Sequence, residues 1–333
     1  MYNTTEPPSK RHKPNHRLRL GLCCLNKTLR SSNPTVFTNR TMRLKTLKEK
    51  GNKLAVEYAI KNLNDLEKLI HWNHNHNINV FRLSSEIFPH MSNPEIHFYG
   101  FHHFESQLEK IGNLAKKYNQ RLTFHPGQFN VVGSNNKQTV EKTIRELDQH
   151  AKILDIMNQD ENGIMVVHGG GVYNDKPKTM ERWVENFGLL SESAKKRLVL
   201  ENCEKSYTVR DCLTISSMIF KKYGFYLPIV IDSHHYTCYG KIHPENIQEP
   251  IDKLLPEVWN TWKSRNIRPK FHVSEQGDGR IGHHSDYVEK IPDYMIHFPN
   301  VFCSDLDIMI EAKHKELAIA HLYKLYPALV DKL

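Results

Sequence analysis

Eight short apolar runs, each followed by an amphipathic stretch, set the terms for how this chain can fold. They are RLRLGLCC (17–24), NVFRLSSE (79–86), RLTFHPG (121–127), GIMVVHGGG (163–171), RLVLENCE (197–204), YLPIVIDSHH (226–235), RPKFHVSEQ (268–276) and DLDIMIEAK (305–313). Apolar residues at helical spacing predict helices over 53–70, 104–119, 139–157, 180–196, 208–224, 245–266, 287–298 and 314–326. Strands separated by helices imply right-handed βαβ units and a parallel sheet. Eight units fit a closed α/β fold, a (β/α)8 TIM barrel. An open doubly wound sheet is the runner-up, but no GxGxxG or GxxxxGK[ST] follows a strand. Residues 1–16 read as a basic, disordered arm and 17–333 as a single barrel domain.

Six of the runs end on a residue that can hold a metal: His125, His168, Glu201, Asp232, His272 and Glu311. An ionisable group at the end of a buried strand is costly. In a (β/α)8 barrel the strand ends converge on one face, so the six become one constellation. A lone strand-end histidine is ordinarily a core or loop residue, and a lone carboxylate there ordinarily caps the next helix. Six together point to ions. Mixed imidazole and carboxylate ligands suit Zn²⁺, Mn²⁺ or Fe²⁺ better than Mg²⁺ or Ca²⁺. They exceed the needs of one tetrahedral ion, so two or three divalent ions are expected, with Glu201 bridging. His235 lies three residues after Asp232, and His283 and His284 follow the loop QGDGRIG. Lys270 lies two before His272, on the same side of the strand by the period of two. A lysine buried there needs a partner or chemical alteration.

The net charge of +9 favours a polyanionic partner. No apolar run reaches membrane-spanning length and no secretory leader is visible, so an intracellular protein with no membrane partner is expected. The six cysteines form no CxxC pair and read as reduced thiols. Clustered ions activate water and clamp a scissile phosphate, which points to hydrolysis at phosphorus on a nucleic-acid backbone.

The stretches FRLSSEIFP (81–89), TFHPGQF (123–129), VHGGGVY (167–173), LENCEKSYT (200–208), IDSHH (231–235), PKFHVS (269–274) and DIMIEAKHK (307–315) resemble the UV damage DNA endonucleases, relatives of endonuclease IV. The resemblance spans nearly the whole chain after the arm; HPGQF and DIMIEAK are its most specific parts. It implies a metal-dependent barrel endonuclease that nicks UV-damaged double-stranded DNA, acting as a monomer. The cut falls immediately 5′ of cyclobutane pyrimidine dimers and 6-4 photoproducts, leaving a 3′-hydroxyl and a 5′-phosphate. It implies manganese as cofactor, with zinc, cobalt or magnesium as alternatives.

The ligands it implies are His125, His168, Glu201, Asp232, His235, His272, His284 and Glu311, with Lys270 as a carboxylated, ligand-like side chain. Catalysis would centre on Glu201, Asp232, His272, Glu311 and Lys270. Gln128 and Phe129 match a pair, usually Gln-Tyr, that probes the duplex at the lesion. Leu22 and Asn26 fall at lesion-contacting positions, Leu22 where the family often has tyrosine. In Ser92-Asn93-Pro94, Asn93 stands where the family often has a ligand histidine, with His90 nearby. The alternatives are an abasic-site endonuclease of the endonuclease IV type and, further off, a metal-dependent sugar isomerase.

Overall fold

Residues 16–93 and 100–330 are described by the computed structural model. The expected arm over 1–16 lies, His16 apart, outside the described residues, as does Pro94. Eight parallel strands form a closed ring: β1 (Leu18–Cys23), β2 (Val80–Arg82), β3 (Arg121–Thr123), β4 (Met165–His168), β5 (Leu198–Glu201), β6 (Ile229–Val230), β7 (Lys270–Val273) and β8 (Leu306–Ile310). One continuous ladder runs β3-β2-β1-β8-β7 and a second β4-β5-β6. Single parallel bridges, Phe124 to Met165 and Asp232 to His272, close the gaps between them. The ring is the expected (β/α)8 barrel.

The helices are more numerous than the expected eight. Among the described residues they are α1 (Lys27–Arg30), α2 (Leu44–Lys50), α3 (Asn52–Asn75), α4 (Glu105–Lys117), α5 (Lys137–Ile156), α6 (Lys176–Phe187), α7 (Glu192–Arg197), α8 (Val209–Tyr223), α9 (Ser233–Ile242), α10 (Ile251–Lys263), α11 (Asp293–Phe302) and α12 (Glu316–Leu325). The single helix expected over 180–196 divides into α6 and α7, because the Ser191 side chain accepts from Ala194 N and starts a new helix. In α8 a capping box joins Thr208 and Asp211, and Gly224 closes the far end in the left-handed region at φ 81°. No helix among the described residues is long and apolar enough to cross a membrane. All six cysteines are free thiols.

Strand alternation divides the interior in two. Leu18, Leu20 and Leu22 of β1 join the core between barrel and helices, with the fully buried Trp183, Trp262 and Phe187. Each buried leucine there contributes about 1.5–3 kcal/mol. Arg19, Gly21 and Cys23 face the barrel axis, which is filled in layers. At the lower end Arg19 Nε donates to Asp307 Oδ1 at 2.7 Å and Arg121 Nη1 to Asp307 Oδ2 at 2.8 Å. Above them Gly21, Val80 and Met309 pack so closely that a Cβ on Gly21 would lie 2.9 Å from Val80 Cβ and 3.0 Å from Met309 Cε. The upper layer, at the strand C-termini, holds Cys23, Arg82 and Glu311.

Candidate metal centre

Glu201 ends β5 and lies at the middle of the upper layer, fully buried. Its Oε2 is 3.0 Å from His125 Nε2 and 3.7 Å from His168 Nε2. Its Oε1 is 2.8 Å from His272 Nδ1 and 3.6 Å from His235 Nδ1. Three imidazoles from strand ends and one from the first turn of α9 thus meet one carboxylate. The pairing of β4 with β5 sets His168 opposite Glu201, and the single bridge sets Asp232 opposite His272. Glu311 follows β8, with Oε1 3.4 Å from His272 Nδ1 and Oε2 3.9 Å from His284 Nε2. His284 is held by an antiparallel bridge to Gln276. Gly277 makes room for that bridge, since a Cβ there would lie 2.2 Å from the His284 carbonyl oxygen.

Three groupings bring ligand atoms to within 4.8 Å of one another: His125, Glu201 and His272; His168, Glu201 and His235; and Asp232, His272 and Glu311. They share Glu201 and His272, as neighbouring ion sites do when a ligand bridges. Two orphaned atoms sharpen the fit to cations. Asp232 Oδ2 and His168 Nδ1 are buried without a hydrogen-bond partner among the described residues. Asp232 Oδ1 caps α9, accepting from His235 N at 2.7 Å. The carboxylate is therefore half committed to a helix, and the capping role does not exhaust it. The donor set of imidazoles and carboxylates suits a divalent transition ion.

Burial holds the His168 imidazole down to about 4 and lowers His272 as well, so both stand neutral and ready to donate a lone pair at neutral pH. Burial opposes ionisation of Glu201, but the surrounding His272 and His168 hold its carboxyl well below the usual range. Burial also opposes the charged form of His235; Asp232 and Glu201 outweigh it and push the imidazole up to about 9. The carbonyl oxygen of Asn202 accepts from His235 Nδ1–H at 3.1 Å, so a metal ion would meet His235 at Nε2 by displacing its proton.

Lys270 is fully buried, with Nζ 2.7 Å from His272 Nε2. Burial, with Arg82 nearby, pulls its ammonium down to about 8. Gln128 and Phe129 are exposed on the loop after His125, Phe129 by 82%. That loop opens on the same barrel face as the ligands.

Other expected positions fall elsewhere. Leu22 is fully buried in the core between barrel and helices, because its β1 neighbours Gly21 and Cys23 take the inward direction; it has no surface for DNA. Asn26 is 2% exposed and is the N-cap of α1, its Oδ1 accepting from Leu29 N at 2.8 Å. His90 does not stand in for the histidine replaced by Asn93: its Nε2 lies 2.6 Å from the Met42 carbonyl oxygen. His283 is exposed, with Nε2 accepting from Arg280 Nε at 3.1 Å.

Two residues escaped sequence reasoning. Arg82, at the end of β2, pairs with Glu311 and holds its carboxyl low against burial. Asn202 clamps the strand carrying Asp232, accepting from Asp232 N at 2.8 Å and donating to Asp232 O at 3.1 Å. The available signal was a polar residue directly after an apolar strand: Arg after VF and Asn after LVLE.

Comparison with known proteins finds similar chains along nearly its whole length. The model of the family described as UV-endonuclease UvdE matches residues 18–331. A protein of Acanthamoeba polyphaga mimivirus, provisionally named a UV-damage endonuclease, is 38% identical over 93% of this chain and 91% of its own length. The UV-damage endonuclease of Schizosaccharomyces pombe is 36% identical over 93% of this chain and 51% of its own length; the chain spans about half of that fungal relative. The crystal structure of SacUVDE superposes with a TM-score of 0.79 at 29% identity, covering 94% of this chain and 99% of that one.

Proposed function

The chain belongs to the UV-endonuclease UvdE family, and from that premise we propose that it is a metal-dependent endonuclease that nicks UV-damaged duplex DNA. The cut we assign lies immediately 5′ of a cyclobutane pyrimidine dimer or 6-4 photoproduct and leaves a 3′-hydroxyl and a 5′-phosphate. The observation that carries this reading is the convergence of four imidazoles on Glu201 beside the exposed Gln128–Phe129 loop.

Two or three divalent ions, manganese first among the candidates, would be held by His125, His168, Glu201, Asp232, His235, His272, His284 and Glu311. Bound there, they would supply Lewis acidity for activating water and neutralising the phosphodiester. The chain's own residues do the rest. Glu201 is common to two of the three ligand groupings, each of its oxygens meeting two imidazoles, and would bridge the ions they hold. Asn202 holds Asp232 and selects the His235 tautomer. Arg82 keeps Glu311 ionised and turned into the layer.

Lys270 is suited to carry a carboxyl group. Burial pulls its ammonium down to about 8, and the charge of Arg82 would favour an anionic product. Phe129 provides a stacking face and Gln128 amide hydrogen bonds to a duplex opened at the lesion. The net charge of +9 supports phosphate binding and predicts salt-dependent affinity.

The test is incision of three duplexes by the manganese-loaded protein: one with a single cyclobutane dimer, one with an abasic site and one undamaged. Incision 5′ of the dimer is expected. No cut at the dimer with cutting at the abasic site would replace this reading with the endonuclease IV type.

A further inference from the structure

The lower end of the barrel carries a second ionic site, separate from the metal centre. A cavity of about 190 Å³ opens there, lined by Arg19, Lys116, Arg121 and Arg268 against one carboxylate, Asp160. A water molecule's share of liquid is about 30 Å³, so the space exceeds one solvent site.

The donors and acceptors around it do not balance. Asp307 is shared by Arg19, at 2.7 Å, and Arg121, at 2.8 Å. Arg121 spends Nε on the Asn162 carbonyl at 2.6 Å and Nη1 on the Arg268 carbonyl at 2.9 Å. Its Nη2 is buried with no hydrogen-bond partner among the described residues. Asp160 is used within its own loop, accepting from Asn162 N at 2.9 Å and Asn162 Nδ2 at 3.2 Å. Among the described residues the one ion pair of Arg268 is with Asp305, Nε to Oδ2 at 3.7 Å, and Asp305 also takes His16 Nδ1 at 3.6 Å. Lys116 has no ion pair among the described residues. Burial pulls the Arg121 guanidinium down to about 10; Asp307 opposes the fall and the like charges of Arg268 and Arg19 add to it.

We propose that this lower cavity is a binding site for a small phosphate-type oxyanion, held by Arg121, Arg268 and Lys116. Arg121 Nη2, with Nε and Nη1 already committed, offers such an anion a charge-assisted hydrogen bond, and Arg268 and Lys116 add positive charge around it. The anion would complete Arg121 and relieve the crowding of Arg268 and Arg19. It requires no bound metal and no DNA at the opposite face.

Titration calorimetry of the full chain with inorganic phosphate, against chloride at matched ionic strength, tests the site. One saturable site is expected, weakened roughly tenfold or more by Arg268→Gln or Lys116→Ala, since a charged hydrogen bond contributes about 1.5–3 kcal/mol. Arg121 is left intact because its removal would under-pair buried Asp307. Phosphate should also raise Tm by a few degrees in the wild type and less in the variants. A non-saturating rise of equal size in all three proteins would be general solvent exclusion and would overturn the site. Unweakened binding in both variants would overturn its location. A nucleoside 5′-monophosphate binding more tightly than phosphate would identify an ester as the ligand; equal or weaker binding would identify the free anion. Dimer incision is expected to be unchanged in both variants, so loss of either reading leaves the other standing.

Discussion

Asp232 holds the backbone N–H of His235 with one carboxylate oxygen, at 2.7 Å, and keeps the other buried without a hydrogen-bond partner among the described residues. One side chain therefore starts a helix and offers a ligand, and the two roles separate by substitution. Asp232→Asn keeps an oxygen for the cap and loses the charge: metal content and incision should fall while Tm stays near wild type. Asp232→Ala should lose both, with a further stability cost of about 1 kcal/mol for the missing cap. Elemental analysis with thermal melts distinguishes the two.

Glu201→Gln removes the charge shared by four imidazoles. Incision should fall by roughly 100-fold or more, on the scale of losing one preorganised electrostatic partner. Bound metal per chain should drop with it. Full activity together with an unchanged metal count would exclude Glu201 as the bridging ligand.

Phe129, 82% exposed, contributes little to the core. Phe129→Ala should leave Tm nearly unmoved and weaken binding to dimer-containing duplex by about 1–3 kcal/mol, the range for one base–aromatic stack. Phe129→Tyr should keep the affinity, because the ring face is preserved. Fluorescence anisotropy on damaged and undamaged duplexes measures both.

The metal-free protein should be most stable near pH 6.5. Burial holds His168 down to about 4, so below 6.5 the unfolded chain takes the proton first and stability falls as pH drops. For His235, burial is outweighed by Asp232 and Glu201 and the imidazole is raised to about 9. Its contribution is fully present below 6.5 and is lost as pH rises through 9. Calorimetric melts in chelator should trace a maximum between the two limbs. A profile flat from pH 5 to 9 would contradict both assignments.

Lys270, with Nζ 2.7 Å from His272 Nε2, should add labelled carbon dioxide as a carbamate detectable by carbon NMR in the wild type and absent in Lys270→Gln. A wild-type spectrum without that signal in labelled bicarbonate would leave Lys270 as an amine.

The strand ends were readable because each breaks an apolar run with a group that burial penalises; His125, His168, Glu201, Asp232, His272 and Glu311 all stand at the barrel mouth. Leu22 was misread because the inward or outward sense of β1 turns on a single residue, and Gly21 and Cys23 take the axis. Helix α9 was missed because its cap, Asp232, reads as the end of a strand. Arg82 and Glu311 lie 229 residues apart, and no local pattern announces their pairing.

The tight packing of Gly21, Val80 and Met309 beneath the upper layer makes the barrel a cup rather than a tube. An ion seated above that hydrocarbon floor would leave through the mouth, which bound duplex would cover under the proposed function. Substrate would then act as a stopper. Chelator added before DNA should empty the protein quickly, and chelator added after DNA should empty it at the rate at which the duplex departs.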